Sequence, residues 1–256
     1  MRRRLVLAAA AVLAVAFAPA EFASADKGGP APEGLAQCAK TTQSGAGNTF
    51  FKWCFHVNGT LGYLEAPVNQ KQIYGDNWVV CSNNNSTVHG IARSNSGAFS
   101  SVNLTAPVVS LATNTTTQRT TDGRFEIKTK FSQVPADKNI FIDVTVKNLL
   151  GSKINGVTFS RLIDFDLNNS PSGDLWIRSY ASVLAAENNA VSLSGTTWPI
   201  GRLSQIEAYN GGAPTDCLDT AAPSPSTGDY MGRVNYNLGT MNGGQSKTFR
   251  YRVAQL

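Results

Sequence analysis

The sequence predicts an all-β fold: an antiparallel β-sandwich stapled by two disulfides, which could be large and curved. Three observations indicate this fold. Short stretches of alternating apolar and polar residues recur along the chain, turn dipeptides such as Asn58-Gly59 and Asp122-Gly123 separate them, and no long amphipathic helix is apparent. Two packed sheets are the usual solution for many short strands of this kind.

The expected strands begin near Phe50 and continue to the C-terminus. The alternation is clearest where Phe125 and Ile127 share one face against Glu126 and Lys128, so this strand is expected to be half buried. One short stretch, 183–187, resembles a helical turn instead. The predicted strands are 50–57, 61–65, 78–81, 108–111, 124–131, 140–147, 157–166, 174–185, 190–193, 205–209, 233–238 and 247–253.

The N-terminus has the composition of a secretory signal peptide. Three arginines precede an apolar run, and Ala23-Ser24-Ala25 forms a small-residue cleavage site. We therefore expect residues 1–25 to be removed, 26–37 to form a flexible leader rich in Gly and Pro, and 38–256 to form one β-sandwich domain that is secreted, extracellular or periplasmic. Loss of three arginines and one glutamate with the signal lowers the net charge from +5 to +3.

All four cysteines lie in the exported part of the chain. An even number of cysteines in an oxidising compartment predicts disulfides rather than a metal site, since no Cys-x-x-Cys pair is present. Of the three possible connectivities we favour Cys38 with Cys54 and Cys81 with Cys217. The second bridge would cross the Ser- and Thr-rich stretch 94–117, which could otherwise separate two subdomains.

Several motifs follow one another in an order that resembles a family of uncharacterised secreted bacterial proteins. They are 53–59 (WCFHVNG), the strand that ends at Cys81, 119–125 (RTTDGRF), 146–148 (VKN), 159–166 (FSRLIDFD) and 236–240 (YNLGT). The resemblance implies a β-rich extracellular domain and supplies no activity or catalytic residue. Leu162 and Asn168 stand where the family commonly has an aromatic residue and an Asp, which weakens a cation site at this point.

The densest charge lies on a predicted hairpin, 157–180. Strand alternation makes Asp164 and Asp166 project together, and a symmetric hairpin places Asp166 opposite Asp174 and Asp164 opposite Trp176. The binding candidates on this face are Asp164, Asp166, Asp174, Trp176 and Arg178. An exposed Trp176 would favour carbohydrate binding, because an aromatic ring can stack on a sugar.

Carboxylates that face one another across a sheet repel and need a neutralising charge. Arg178 could supply it in a structural ion-paired hairpin, which is the preferred interpretation. The alternative is calcium, held by Asp164, Asp166, Asn168 and Asp174. An EF-hand is excluded, because Asn169 stands where that loop requires Gly and Leu175 replaces the bidentate Glu.

Arg161 shares its predicted face with apolar residues. It should either lie under the core beside a carboxylate, with Asp143 or Glu126 as its partner, or be turned outward by a bulge. His56 and His89 are expected to be ordinary surface or hydrogen-bonded histidines.

The sequence contains no nucleophile elbow, zinc-protease motif, P-loop or dinucleotide fingerprint, and no basic patch that would predict nucleic-acid binding. We also expect no membrane span in the mature chain. The first hypothesis is a non-catalytic protein that binds a glycan, another extracellular polymer or a surface protein. The second is a polysaccharide hydrolase that uses paired carboxylates, Asp164 and Asp174. The third is a structural envelope or matrix protein with a large exposed apolar patch, and the oligomeric state is left open.

Overall fold

The computed structural model describes residues 38–95, 98–134, 138–167, 174–179, 182–186, 190–195, 201–208, 217, 226–227 and 230–256. Their strands form three antiparallel sheets. The small sheet contains β1 (Lys40–Ser44), β2 (Phe51–Phe55) and β3 (Leu61–Glu65), with a 3-10 helix at Gly47–Thr49 between β1 and β2.

The other two sheets are larger. The six-stranded sheet contains β4 (Gly75–Ser82), β5 (Thr87–Asn95), β6 (Ala98–Val102), β11 (Ile154–Asp164), β15 (Gly201–Ala208) and β17 (Tyr230–Met241), in the order β15-β17-β11-β4-β5-β6. The nine-stranded sheet has the order β16-β12-β13-β14-β18-β10-β9-β8-β7. Its strands are β7 (Val108–Ser110), β8 (Thr115–Arg119), β9 (Phe125–Val134), β10 (Asn139–Asn148), β12 (Leu175–Ser179), β13 (Ser182–Ala186), β14 (Ala190–Gly195), β16 (Ser226–Thr227) and β18 (Ser246–Gln255).

The main core fills the space between the sheets. Alternate residues of β9 and β10 are buried, as their sequence pattern predicts, and they pack in one cluster with apolar residues of β11, β17 and the small sheet. Phe159, for example, stacks on Trp78 of the neighbouring strand and contacts Phe249 of the opposite sheet. The predicted antiparallel β-sandwich is therefore confirmed.

Both disulfides form with the predicted connectivity. Cys38 is bonded to Cys54, and Cys81 is bonded to Cys217, which lies 136 residues further along the chain. The longer bridge ties Cys217 to β4 on the face of the six-stranded sheet that points away from the main core. No cysteine in the described part of the chain is free.

Some elements differ from the prediction. The strand expected at 174–185 is two strands, β12 and β13, and residues 183–186, expected to form a helical turn, lie in β13. Strands β1, β5, β6, β8 and β16 were not predicted, and β1, β8 and β16 are rich in the Thr and Ser that are common in loops. The expected signal peptide and leader fall outside the described residues. Within the described residues, no helix is long and apolar enough to cross a membrane.

Candidate functional site

The hairpin predicted for 157–180 does not form. β11 is an inner strand that pairs with β4 on one side and β17 on the other, so neither of its edges is open to a third strand. β12 instead pairs with β13 and β16 in the nine-stranded sheet. The predicted pairings of Asp164 with Trp176 and of Asp166 with Asp174 are therefore wrong.

Three of the binding candidates still lie near one end of β11. Asp164 is the last residue of β11 and is buried, and Asp166 is half buried just beyond it. Asp174 is buried as well, and its Oδ2 accepts a hydrogen bond of 3.4 Å from the Leu167 N–H. Asn168 and the side chain of Arg178 lie outside the described residues.

Trp176 is a core residue and not an exposed platform. Its side chain is fully buried in the main core, and its ring stacks on Phe165 with centroids 5.7 Å apart. Trp53 and Trp78 are buried too, whereas Tyr63 and Tyr74 are half buried. Of these five aromatic side chains, Tyr63 and Tyr74 are the two that solvent reaches.

The positive charge beside the two aspartates comes from Lys71, which the sequence interpretation missed. Lys71 lies in the loop between β3 and β4, where its backbone bridges to Glu65. Burial lowers the pKa of the Lys71 ammonium, and the carboxylates of Asp166 and Asp164 oppose this effect. A lysine in a loop without periodicity gives no sequence signal that it faces acids about 90 positions away.

Tyr74 completes this group. Its backbone N–H donates a hydrogen bond of 2.9 Å to the Asp164 carbonyl, and its ring centroid lies 5.7 Å from the Lys71 ammonium. We call Lys71, Tyr74, Asp164 and Asp166 the Lys71 cluster. It combines one cation, two carboxylates and a half-buried aromatic ring at the end of a strand that is paired on both sides.

Polar side chains continue from the Lys71 cluster along the outer face of the six-stranded sheet. The register places Leu162 between Asn77 and Arg233, and Ser160 Oγ lies 2.5 Å from Asn235 Oδ1. These polar residues are buried. A buried polar side chain costs free energy unless it is hydrogen-bonded, and these residues lie beside the apolar cluster that contains Leu162 and Cys217.

The calcium hypothesis gains no support from the described residues. Among them, no group of three or more His, Cys, Asp or Glu side chains is arranged to hold a metal ion. The ammonium of Lys71 supplies positive charge beside Asp164 and Asp166, which is the role that the hypothesis gave to calcium or to Arg178.

Arg161 lies under the core, as one of the two alternatives predicted, but neither expected partner binds it. Its guanidinium donates to Asp76 of β4, and both side chains are fully buried. Asp76 also accepts the Leu61 N–H, and burial raises the pKa of Asp76 to about 6 against the opposing effect of Arg161. Asp143 pairs with Arg250 instead, and Glu126 pairs with Arg119.

A second polar arrangement has the order of a catalytic triad. His89 Nε2 lies 2.7 Å from Ser82 Oγ, and His89 Nδ1 lies 2.6 Å from Asp122 Oδ2. However, Ser82 is fully buried, and the next backbone N–H, that of Asn83, donates to the Asn155 carbonyl and not toward an oxyanion position. This chain of hydrogen bonds joins the β4–β5 hairpin to the turn before β9, and His89 is a buried hydrogen-bonded histidine.

Comparison with known proteins gives a similarity in fold. No protein-family model matches the chain, and no curated protein matches it. A bacterial glucoamylase, solved in complex with acarbose, is similar with a TM-score of 0.58 and 12% identity over 85% of this chain and 32% of that chain. At this identity the likeness shows the fold alone.

Two further solved structures are more distant. A polysaccharide lyase has a TM-score of 0.45 and 14% identity, over 82% of this chain and 33% of that chain. An α-galactosidase from Geobacillus stearothermophilus has a TM-score of 0.36 and 9% identity, over 85% of this chain and 40% of that chain. The chain spans about a third of the length of the glucoamylase.

Proposed function

We propose that this chain is a secreted, non-catalytic protein that binds an extracellular carbohydrate polymer, and that the Lys71 cluster is its binding site. The observation that carries the proposal is the half-buried ring of Tyr74 beside the Lys71 ammonium and the carboxylates of Asp164 and Asp166. Sugar-binding sites use this combination, because the ring covers an apolar sugar face while charged groups hydrogen-bond the hydroxyls.

The fold favours a rigid site. Asp164 ends a strand that is paired on both sides, and the Tyr74 N–H fixes its carbonyl. A ligand that meets side chains already held in place loses less conformational entropy on binding. Lys71 is buried as well, with its ammonium 5.7 Å from the centroid of the Tyr74 ring.

Support from the comparisons is limited to the fold. The glucoamylase acts on carbohydrate by its name, and this chain shares the architecture of about a third of that protein. One architecture can host many functions, so the proposal depends on the residues of the Lys71 cluster.

A glycan array followed by calorimetric titration of the retained polysaccharide tests the proposal. Lys71→Met removes the ammonium and keeps the aliphatic chain. Loss of a charge-assisted hydrogen bond should weaken binding by about tenfold or more.

The chain offers a matched control in Lys52→Met. The Lys52 ammonium also lies 5.7 Å from a tyrosine ring, that of Tyr63, but on the small sheet. This variant should bind like the wild type. Absence of any retained glycan, or equal losses in the two variants, would contradict the assignment.

The hydrolase alternative is kept because Asp164 and Asp174 lie near the same end of β11. Paired carboxylates of this kind cleave glycosidic bonds when one of them is protonated. Incubating the retained polysaccharide with wild-type protein and with Asp164→Asn, and measuring new reducing ends, separates the two functions. Binding alone predicts no release by either protein, whereas hydrolysis predicts release by the wild type only.

A further inference from the structure

The outer face of the nine-stranded sheet carries a dense set of charged and hydroxyl side chains. Four neighbouring strands, β8, β9, β10 and β18, pack alternate residues toward the inside of the sandwich and turn the others outward. The register aligns twelve outward positions in three rows, and every one is a charged residue, a serine or a threonine. We call these positions, which alternate along 115–119, 126–130, 143–147 and 246–250, the basic face.

Positive charge exceeds negative charge on the basic face. It has five cations and two carboxylates, and each carboxylate is already paired with an arginine. Glu126 binds Arg119 at 2.9 Å, and Asp143 binds Arg250 through both of its oxygens. The remaining cations are Lys128, Lys130 and Lys147. All three are exposed, and within the described residues no ion pair or hydrogen bond engages their ammonium groups.

These three lysines form a line along the strands. Lys128 and Lys130 are two residues apart on β9, and Lys147 lies one row further on β10, opposite Glu126. Strand geometry places successive Cα atoms of this line about 7 to 8 Å apart. The Debye length at physiological ionic strength is also about 8 Å, so the fields of neighbouring ammonium groups add. An extended polymer with repeated negative charges would meet one lysine after another.

Hydroxyl groups lie between the charges. Thr145 and Thr248 face each other across the middle row with their Oγ1 atoms 2.8 Å apart, and Lys128 lies beside Thr145 in the same row. A hydroxyl both donates and accepts hydrogen bonds, so this row suits a ligand that bears hydroxyls as well as anionic groups. An acidic polysaccharide has both.

Other polyanions fit the basic face less well. Membrane binding is strengthened by apolar side chains that enter the lipid, and the twelve positions include no apolar residue. Single-stranded nucleic acid stacks its bases on aromatic rings, which the twelve positions also lack. Four neighbouring strands span about 14 Å, which is wider than the major groove of duplex DNA, about 12 Å.

We propose that the basic face binds an acidic polysaccharide, with its anionic groups at Lys128, Lys130 and Lys147 and its hydroxyls at the threonines of the middle row. The basic face belongs to the nine-stranded sheet, whereas the Lys71 cluster lies at the end of a strand of the six-stranded sheet. The two binding surfaces are therefore separate, and this proposal does not depend on the proposed function.

Calorimetric titration with polygalacturonate tests the proposal. The wild type should bind it saturably at an ionic strength of about 0.15 M, and more tightly when the salt is lowered, because salt screens exposed charges. Lys128→Gln/Lys130→Gln should weaken binding by about tenfold, since each exposed charge contact contributes up to about fivefold.

Lys52→Gln/Lys153→Gln is the matched control. It removes the same charge from two lysines outside the basic face, one on the small sheet and one in the loop between β10 and β11. Binding by this variant should stay within about twofold of the wild type at about 0.15 M salt. Lys71→Met should also leave polygalacturonate binding unchanged, which distinguishes a failure of this proposal from a failure of the proposed function.

Polyglutamate, duplex DNA and vesicles that contain anionic lipid represent the other classes of partner. Polyglutamate carries carboxylates without sugar hydroxyls, so it should bind more weakly than polygalacturonate of equal charge. Absence of polygalacturonate binding, equal losses in the two double variants, a loss caused by Lys71→Met, or tighter binding of any of the other three polyanions would overturn the proposal.

Discussion

The ion pair of Arg161 and Asp76 should be the most sensitive polar contact of the core. We predict that Arg161→Met lowers the free energy of unfolding strongly, although methionine keeps much of the length of the arginine chain. The reason is that both side chains are fully buried, so the substitution leaves the Asp76 carboxylate in the core without its cation.

The magnitude follows from that burial. Removing one partner of a buried ion pair typically costs about 3 to 5 kcal/mol, whereas an exposed pair contributes about 0 to 1 kcal/mol. Asp76→Asn should cost a similar amount, because it leaves the guanidinium unbalanced while the Asn can still accept the Leu61 N–H. The double variant should cost less than either single change, since it removes both charges together.

Urea denaturation with the disulfides intact measures all three variants through the midpoint and the slope of the transition. Asp143→Asn is the control, because Asp143 forms its pair with Arg250 at the surface. A loss of less than about 1 kcal/mol in Arg161→Met, comparable with that of the control, would refute the reasoning. So would a double variant whose loss equals the sum of the single losses.

Three further predictions concern pH, the long disulfide and Trp176. The pKa of Asp76 in the folded protein, about 6, lies above its usual value of 3.8, so the stability it contributes is complete below about pH 4 and is lost as the pH rises through 6. Relative to the Asp76→Asn/Arg161→Met variant, the free energy of unfolding of the wild type should therefore fall by up to about 3 kcal/mol between pH 4 and pH 7 in urea titrations. A difference in unfolding free energy between the two proteins that stays constant with pH would contradict this. Replacing Cys81 and Cys217 together by Ala should cost about 4 to 5 kcal/mol, because that bridge closes a loop of 136 residues, and a loss below about 1 kcal/mol would contradict it. Trp176→Ala should cost about 3 to 5 kcal/mol in thermal or urea unfolding, because the side chain is fully buried, and an unchanged midpoint would show that it is not a core residue.

Local pattern was sufficient to predict much of the fold. The alternation in β9 and β10 indicated which residues face the core, and the spacing of the cysteines favoured the connectivity that the structure shows. Strands rich in Thr and Ser, such as β1 and β8, lacked the apolar alternation that marks a half-buried strand.

Pairing between distant segments could not be predicted in the same way. The hairpin of 157–180 was plausible because its two halves are neighbours in sequence, but β4 and β17 occupy both edges of β11. For the same reason, neither Asp76, 85 positions before Arg161, nor Lys71 could be assigned to the groups that they contact. Three residues of the predicted site, Asp164, Asp166 and Asp174, nevertheless lie near the end of β11.

A heteronuclear NMR titration with the polysaccharide retained on the array tests the central claim most directly, because it locates binding as well as detecting it. We predict saturable shifts of the backbone amides of Lys71, Tyr74 and Asp166, with no shift at Tyr63 on the small sheet. Saturable binding that shifts other residues and leaves the Lys71 cluster unchanged would contradict the account.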